Sequence, residues 1–206
     1  MERGLVSKSG MKAWLAAFWA FSSIACSRSV GWSGEEESLI AGDGQVMRVL
    51  TVEDPGDSLF LRKEALEMTP AMVASEEYRL LAEKMVSTVT SPEQDGVGIA
   101  GPQVGISRRV VAVQRFDIEG EPFIVYPNVR ITARRGPEEC GPEGCLSVPG
   151  RRGVVSRSRD IDITYISSST LKDTTETVRG FTAVIFQHEC DHLDGILYTD
   201  RLVDGR

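Results

Sequence analysis

The six residues Gln187-His188-Glu189-Cys190-Asp191-His192 are the part of this chain best equipped for chemistry. They hold both of its histidines, four apart, with a glutamate directly after the first. On a helix, residues i and i+4 share a face. His188 and His192 can therefore reach one metal ion together, with Glu189 beside it as a proton carrier. Two histidines placed at random would fall into this H-E-x-x-H pattern in about one chain in a thousand of ordinary composition. A catalytic metal site needs three protein ligands and one position open to water or substrate. No histidine remains, so the third ligand is Cys140, Cys145, Cys190 or a carboxylate. Cys190, at i+2 from His188, turns away from the histidine face. Cys145 sits in Glu143-Gly144-Cys145-Leu146-Ser147, and a thiolate there would give a Cys/His/His site.

These side chains need elements to position them. Phe181 to Leu193 reads as the metal helix, with Val184, Ile185, Leu193 and Phe181 as its buried side and Gly195 as its stop. Ser75 is a good N-cap for an amphipathic helix to about Thr90, with Tyr78, Leu81, Ala82, Met85 and Val89 at helical spacing. Gly96 to Gly105 (GVGIAGPQVG) is a glycine loop without Rossmann spacing and without the Lys-Ser/Thr of a P-loop, which argues against a phosphate cradle. Glycines let backbone approach a ligand closely, and Gln103 places a neutral amide there. Arg109 to Phe116, Pro122 to Thr132 (interrupted at Pro127-Asn128), Val154 to Arg157, Asp160 to Ile166 and Thr174 to Val178 read as strands. Cys145 to Val148 is a further short strand-like piece, Gly136 to Gly144 is loop, and Leu59 to Thr69 is irregular after a turn at Asp54 to Asp57. The expected fold is α+β, with mostly antiparallel sheets packed around a C-terminal metal-binding helix.

At 206 residues, 41% hydrophobic and 26% charged, the chain can bury a real core. Its net charge of −7 argues against specific nucleic-acid binding through phosphate contacts. Arg3, Lys8 and Lys12 precede an apolar run from Ala13 to Ala25, so residues 1–26 are a candidate signal peptide or N-terminal extension. Cys26 offers a lipid-attachment point, and Met11 an alternative start. Residues 27–45, with Glu35-Glu36-Glu37, read as a flexible linker with a solvated charge run. The folded domain then spans residues 46–206.

Three segments, GVGIAGPQVG, EGCLS and QHECDH, occur in the order and form that mark peptide deformylases, and the resemblance covers roughly residues 46 to 203. It departs at Gly101, where the family usually has alanine, which would loosen the loop. The resemblance implies that Cys145, His188 and His192 are metal ligands and that Glu189 is the general base and then acid. It also implies that Gln103 and the Leu146 N–H hold the oxyanion, and that Gly98 meets substrate through its backbone. The implied reaction removes the N-formyl group from N-formylmethionyl peptides, such as nascent chains at the ribosome. The implied cofactor is one divalent ion per chain, Fe(II) foremost, with Zn, Ni or Co in prepared protein. The implied location is cytoplasmic; residues 1–26 carry the alternative of export or lipid anchoring. A zincin-type protease would need a His or Glu ligand after His192, and none follows. A closed structural metal site would need a fourth ligand such as Cys140 and would leave Gln103 and Glu189 without a purpose.

Overall fold

The computed structural model describes Met1 and residues 31–203. The stretch read as a signal peptide, with Cys26, lies outside the described residues apart from Met1. Among the described residues, no helix is long and apolar enough to cross a membrane.

Helix α1 (Gly34–Ala41) corrects the reading of residues 27–45 as a flexible linker. Ser33 and Glu36 form a reciprocal capping box, satisfying donors that a helix start leaves open. Glu36 is buried against Arg108 and Ile40 enters the core, whereas Glu35 and Glu37 are exposed. Only part of the acidic run is therefore solvated. Asp54 caps α2 (Pro55–Leu61), whose proline sits in the first turn, so the expected turn is instead a helix start. Thr69 caps the short α3 (Pro70–Val73). Ser75 caps α4 (Glu76–Val89), which buries Tyr78, Leu81, Met85 and Val89 as its spacing predicts.

Two antiparallel sheets follow. Strands β1 (Gly98–Ala100), β2 (Val110–Gln114) and β3 (Phe123–Pro127) form the first, in that order. Strands β4 (Arg130–Cys145), β5 (Val148–Ile166) and β6 (Asp173–Arg179) form the second. The segment from Gly136 to Gly144 is not loop but the second half of β4. It pairs with β5, and a register shift between Arg135 and Glu138, with Gly136 at φ +71°, absorbs the glycine. The two strand pieces before and after Ser158 are likewise one strand, β5. Cys145 and Val148 face each other across the hairpin, so the piece between them is a two-residue turn rather than a strand.

Helix α5 (Gly180–Leu193) packs against β1 and β2 of the first sheet and β5 of the second. Ile185, Phe186, Cys190 and Leu193 pack with Val111, Val113, Tyr126, Ile161 and Ile163. The Tyr126 ring meets Phe186 edge-on, with centroids 4.9 Å apart. Burying Phe186 in this way is worth roughly 3–5 kcal/mol against alanine. Phe181 departs from expectation: it is 49% exposed in the first turn and pairs with Phe116. Gly195 ends the segment with φ +71°, a left-handed backbone that suits glycine.

Candidate active site

The site forms where the β4–β5 hairpin reaches α5. Cys145, His188 and His192 each offer one donor atom, and these atoms all lie within 4.8 Å of one another. Cys145 Sγ is 3.1 Å from His192 Nε2. His188 Nδ1 is 2.8 Å from Glu143 Oε2. A carboxylate there accepts a hydrogen bond from Nδ1–H, which fixes the tautomer and leaves Nε2 free to act as a ligand. Burial alone would raise the Cys145 thiol and lower His188. At Cys145 the His192 charge and hydrogen bonds from both histidines outweigh burial and keep the thiol well below its ordinary value; at His188 hydrogen bonds to Cys145 and Glu143 hold the imidazole well above. Burial likewise opposes ionisation of Glu143, but His188 and Arg157 hold it down at about 2.

Glu189 projects from the same helix. It is 4% exposed, and its Oε2 has no hydrogen-bond partner among the described residues. Burial pushes its carboxyl up to about 7, against the pull of His188 and His192. Gly98 is what makes room for it. A methyl group built there would come 2.5 Å from Glu189 Oε1 and 2.7 Å from Ile185 Cγ2.

Gln103 lies in a 3₁₀ turn, Gly101–Val104. Its Oε1 accepts from the Ala100 N–H at 2.8 Å, which orients the amide. Its Nε2 then faces Ser147 Oγ at 3.2 Å and Cys145 Sγ at 3.6 Å. Leu146 is the first residue of the hairpin turn, a position whose N–H the ladder does not use. All seven predicted site residues thus converge. Cys140 is exposed on β4, and Cys190 is buried in the core, pushed up to about 12 by desolvation. Gly101 sits where the backbone is closely packed. A methyl there would come 2.8 Å from the Arg108 carbonyl and 3.0 Å from that of Ile106, so glycine permits a close backbone approach.

Sequence reasoning missed Arg157. It donates to Glu143 (2.8 Å) and Asp191 (2.6 Å), and all three are buried. Asp191 also accepts from Arg201 at 2.6 Å. Glu143 therefore touches a candidate ligand directly, whereas Asp191 is joined to Glu143 through Arg157. The available signal was alternation: Arg157 shares a face of β5 with Val155, and an arginine on an inward face calls for buried carboxylates. Tyr198 was also missed; its ring stacks on His188 at 6.1 Å. Arg151 and Arg152 are exposed beside the hairpin tip.

The donors fit a metal. One thiolate and two imidazoles suit Fe, Zn, Ni or Co, and three ligands leave a coordination position open. With a buried carboxyl and an aimed amide beside them, they define a metal-dependent hydrolase site. The profile of the polypeptide deformylase family matches residues 46–206. A peptide deformylase of Leptospira biflexa is 33% identical over 164 residues, 76% of this chain and 88% of the relative. One from Desulforudis audaxviator is 39% identical over 156 residues, 76% of this chain and 93% of the relative. The crystal structure of the Acinetobacter baumannii class I type b peptide deformylase bound to Met-Ala-Ser matches with a TM-score of 0.67 at 33% identity, covering 76% of this chain and 98% of that one. The chain belongs to the polypeptide deformylase family. Its reaction is the hydrolytic removal of the N-formyl group from formylmethionyl peptides, which releases formate and a free N-terminal methionine.

Proposed function

We propose that the chain deformylates nascent N-formylmethionyl peptides with one Fe(II) ion per chain, held by Cys145, His188 and His192. The convergence of these three donors around Glu189 and Gln103 is the observation that carries this reading. Zn, Ni and Co suit the same donors in prepared protein. A divalent ion there, when bound, activates a water near neutral pH and polarises the formyl carbonyl.

The chain's own residues do the rest. Glu189 accepts the proton of the attacking water and delivers it to the peptide nitrogen as the C–N bond breaks. Its burial and its raised carboxyl suit both halves of that transfer. The Gln103 amide and the Leu146 N–H donate to the oxyanion as it develops. Gly98 presents bare backbone to the substrate, and Ile185 beside it offers an apolar wall to the methionine side chain. Glu143 holds the His188 ring in its ligating tautomer.

The substrate is made at the ribosome, which sets the workplace of this enzyme in the cytoplasm. Residues 1–26 carry the other reading, an exported or lipid-anchored copy. Mass spectrometry of the native N-terminus separates the two: an intact start at Met1 or Met11 gives the cytoplasmic enzyme, a lipidated Cys26 the anchored one. For the chemistry, iron-loaded protein releases formate from formyl-Met-Ala-Ser. Glu189→Ala abolishes turnover while metal content stays at one ion per chain. Unchanged turnover in that variant refutes the proton-transfer role.

A further inference from the structure

Residues 31–45 precede the segment that the family profile covers, yet they are built into the body of the protein. The Trp32 indole donates to Ser75 Oγ at 3.2 Å, and its ring lies 5.8 Å from the Arg108 guanidinium. Glu36 grips the same guanidinium, taking Nε at 2.9 Å and Nη2 at 2.8 Å. Both side chains are almost fully buried. Ile40 packs with Tyr78, Leu81 and Met85, and Lys84 donates to the Gly42 carbonyl. A charge buried alone would be strongly unfavourable, so this pair fixes α1 and Arg108 relative to each other.

The far side of that contact is the 3₁₀ turn that carries Gln103. At the start of the turn, a methyl built on Gly101 would come 2.8 Å from the Arg108 carbonyl oxygen, so Arg108 backbone lies directly against it. At its end, Gly105 has φ +79°, and a methyl there would come 3.2 Å from Leu39 Cδ1 on α1. In the middle, the Gln103 carbonyl accepts from the Leu50 N–H at 2.8 Å. Each end of the turn thus lies close against α1 or against the backbone of the residue that α1 grips.

We propose that α1 is a positioning element for the active site: Leu39 and the buried Glu36–Arg108 pair fix the turn that aims the Gln103 amide. Glu36 and Arg108 are then positioning residues for deformylation, although they lie outside the substrate cleft. This rests on the reading of Gln103 as an oxyanion donor. The geometry also gives it a signature. A brace that acts through Gln103 loses its effect once the Gln103 amide is gone, whereas a brace of general stability does not.

The test is a double-mutant cycle in full-length, metal-loaded enzyme, assayed well below the melting temperature with the folded fraction checked by circular dichroism. Glu36→Gln should lower kcat about tenfold at unchanged KM, as expected when a catalytic group is misplaced by a fraction of an ångström. In a Gln103→Ala background the same substitution should change kcat less than about twofold. Equal fold losses in both backgrounds overturn the proposal, and so does a Glu36→Gln enzyme with the parent kcat. If Gln103→Ala itself keeps the parent kcat, the oxyanion reading fails, and the proposal with it. A loss with Gln103→Ala but none with Glu36→Gln defeats only the brace. Should Glu36→Gln not fold, Leu39→Ala, at an exposed position, takes its place in the cycle: a loss confined to the Gln103 background supports the brace, and equal losses overturn it.

Discussion

Replacing Gly98 by alanine isolates the placement of Glu189, the carboxylate proposed to carry the proton, from its chemistry. The new methyl would come 2.5 Å from Glu189 Oε1, 2.7 Å from Ile185 Cγ2 and 3.0 Å from Glu189 Cδ. Ordinary contact begins near 3.4 Å, so the carboxylate must retreat by about 0.9 Å. A misplacement of about 1 Å costs on the order of a hundredfold in rate. Overpacking at such a site costs about 1–3 kcal/mol of stability. That corresponds to a fall in Tm of roughly 2–12 °C for a domain of this size. The expected variant is therefore folded and binds metal, but turns over about a hundredfold more slowly. A coupled formate assay on formyl-Met-Ala-Ser, with metal analysis and a thermal melt, reads all three quantities. Gly153→Ala is the control: its methyl would come 2.2 Å from Leu202 Cδ2, whose partly exposed side chain can swing away, and kcat should hold. A Gly98→Ala enzyme within about threefold of the parent kcat would show that Glu189 is not confined as argued.

Three further outcomes follow from the same geometry. Glu143→Ala frees His188 Nδ1 and should weaken metal retention about 10–100-fold in a chelator competition. Arg157→Met leaves Glu143 and Asp191 as buried carboxylates without their shared partner. Urea unfolding should report a loss of about 3–5 kcal/mol. Burial raises the Tyr126 hydroxyl to about 12 from its ordinary 10, so its contribution is complete below pH 10 and is lost as the pH climbs towards 12. The other tyrosines are raised too, so urea melts across that window should show a decline that Tyr126→Phe lessens by roughly 2–3 kcal/mol.

The metal helix was legible because its information is local. Four-residue spacing puts His188 and His192 on one face whatever surrounds them. Cys145 was reachable only through the company it keeps in EGCLS, since the hairpin delivers it from 47 residues before His192. Helix α1 was illegible for the opposite reason. Its composition matches a solvated linker, and what makes it a helix is tertiary: Arg108 for Glu36, and the core for Ile40. The second half of β4 was hidden in the same way. Glycine, proline and glutamate erase the strand alternation there, and pairing with β5 supplies what propensity lacks. Arg157 broke an apolar pattern without announcing its partners, because Glu143 and Asp191 come from β4 and α5.

The hairpin that delivers Cys145 also sets an order of events during synthesis. The two candidate histidine ligands share about one turn of helix, and Cys145 joins them only when the second sheet has docked on α5. Synthesis runs from the N-terminus, so a chain still emerging from the ribosome exposes Cys145 before the histidine pair and can offer an ion at most a lone thiolate. The full donor set exists only in the finished tertiary fold, so binding of an ion there is linked to folding and adds to its stability. An enzyme that trims newly made chains must itself be fully made before it can work on the first of them.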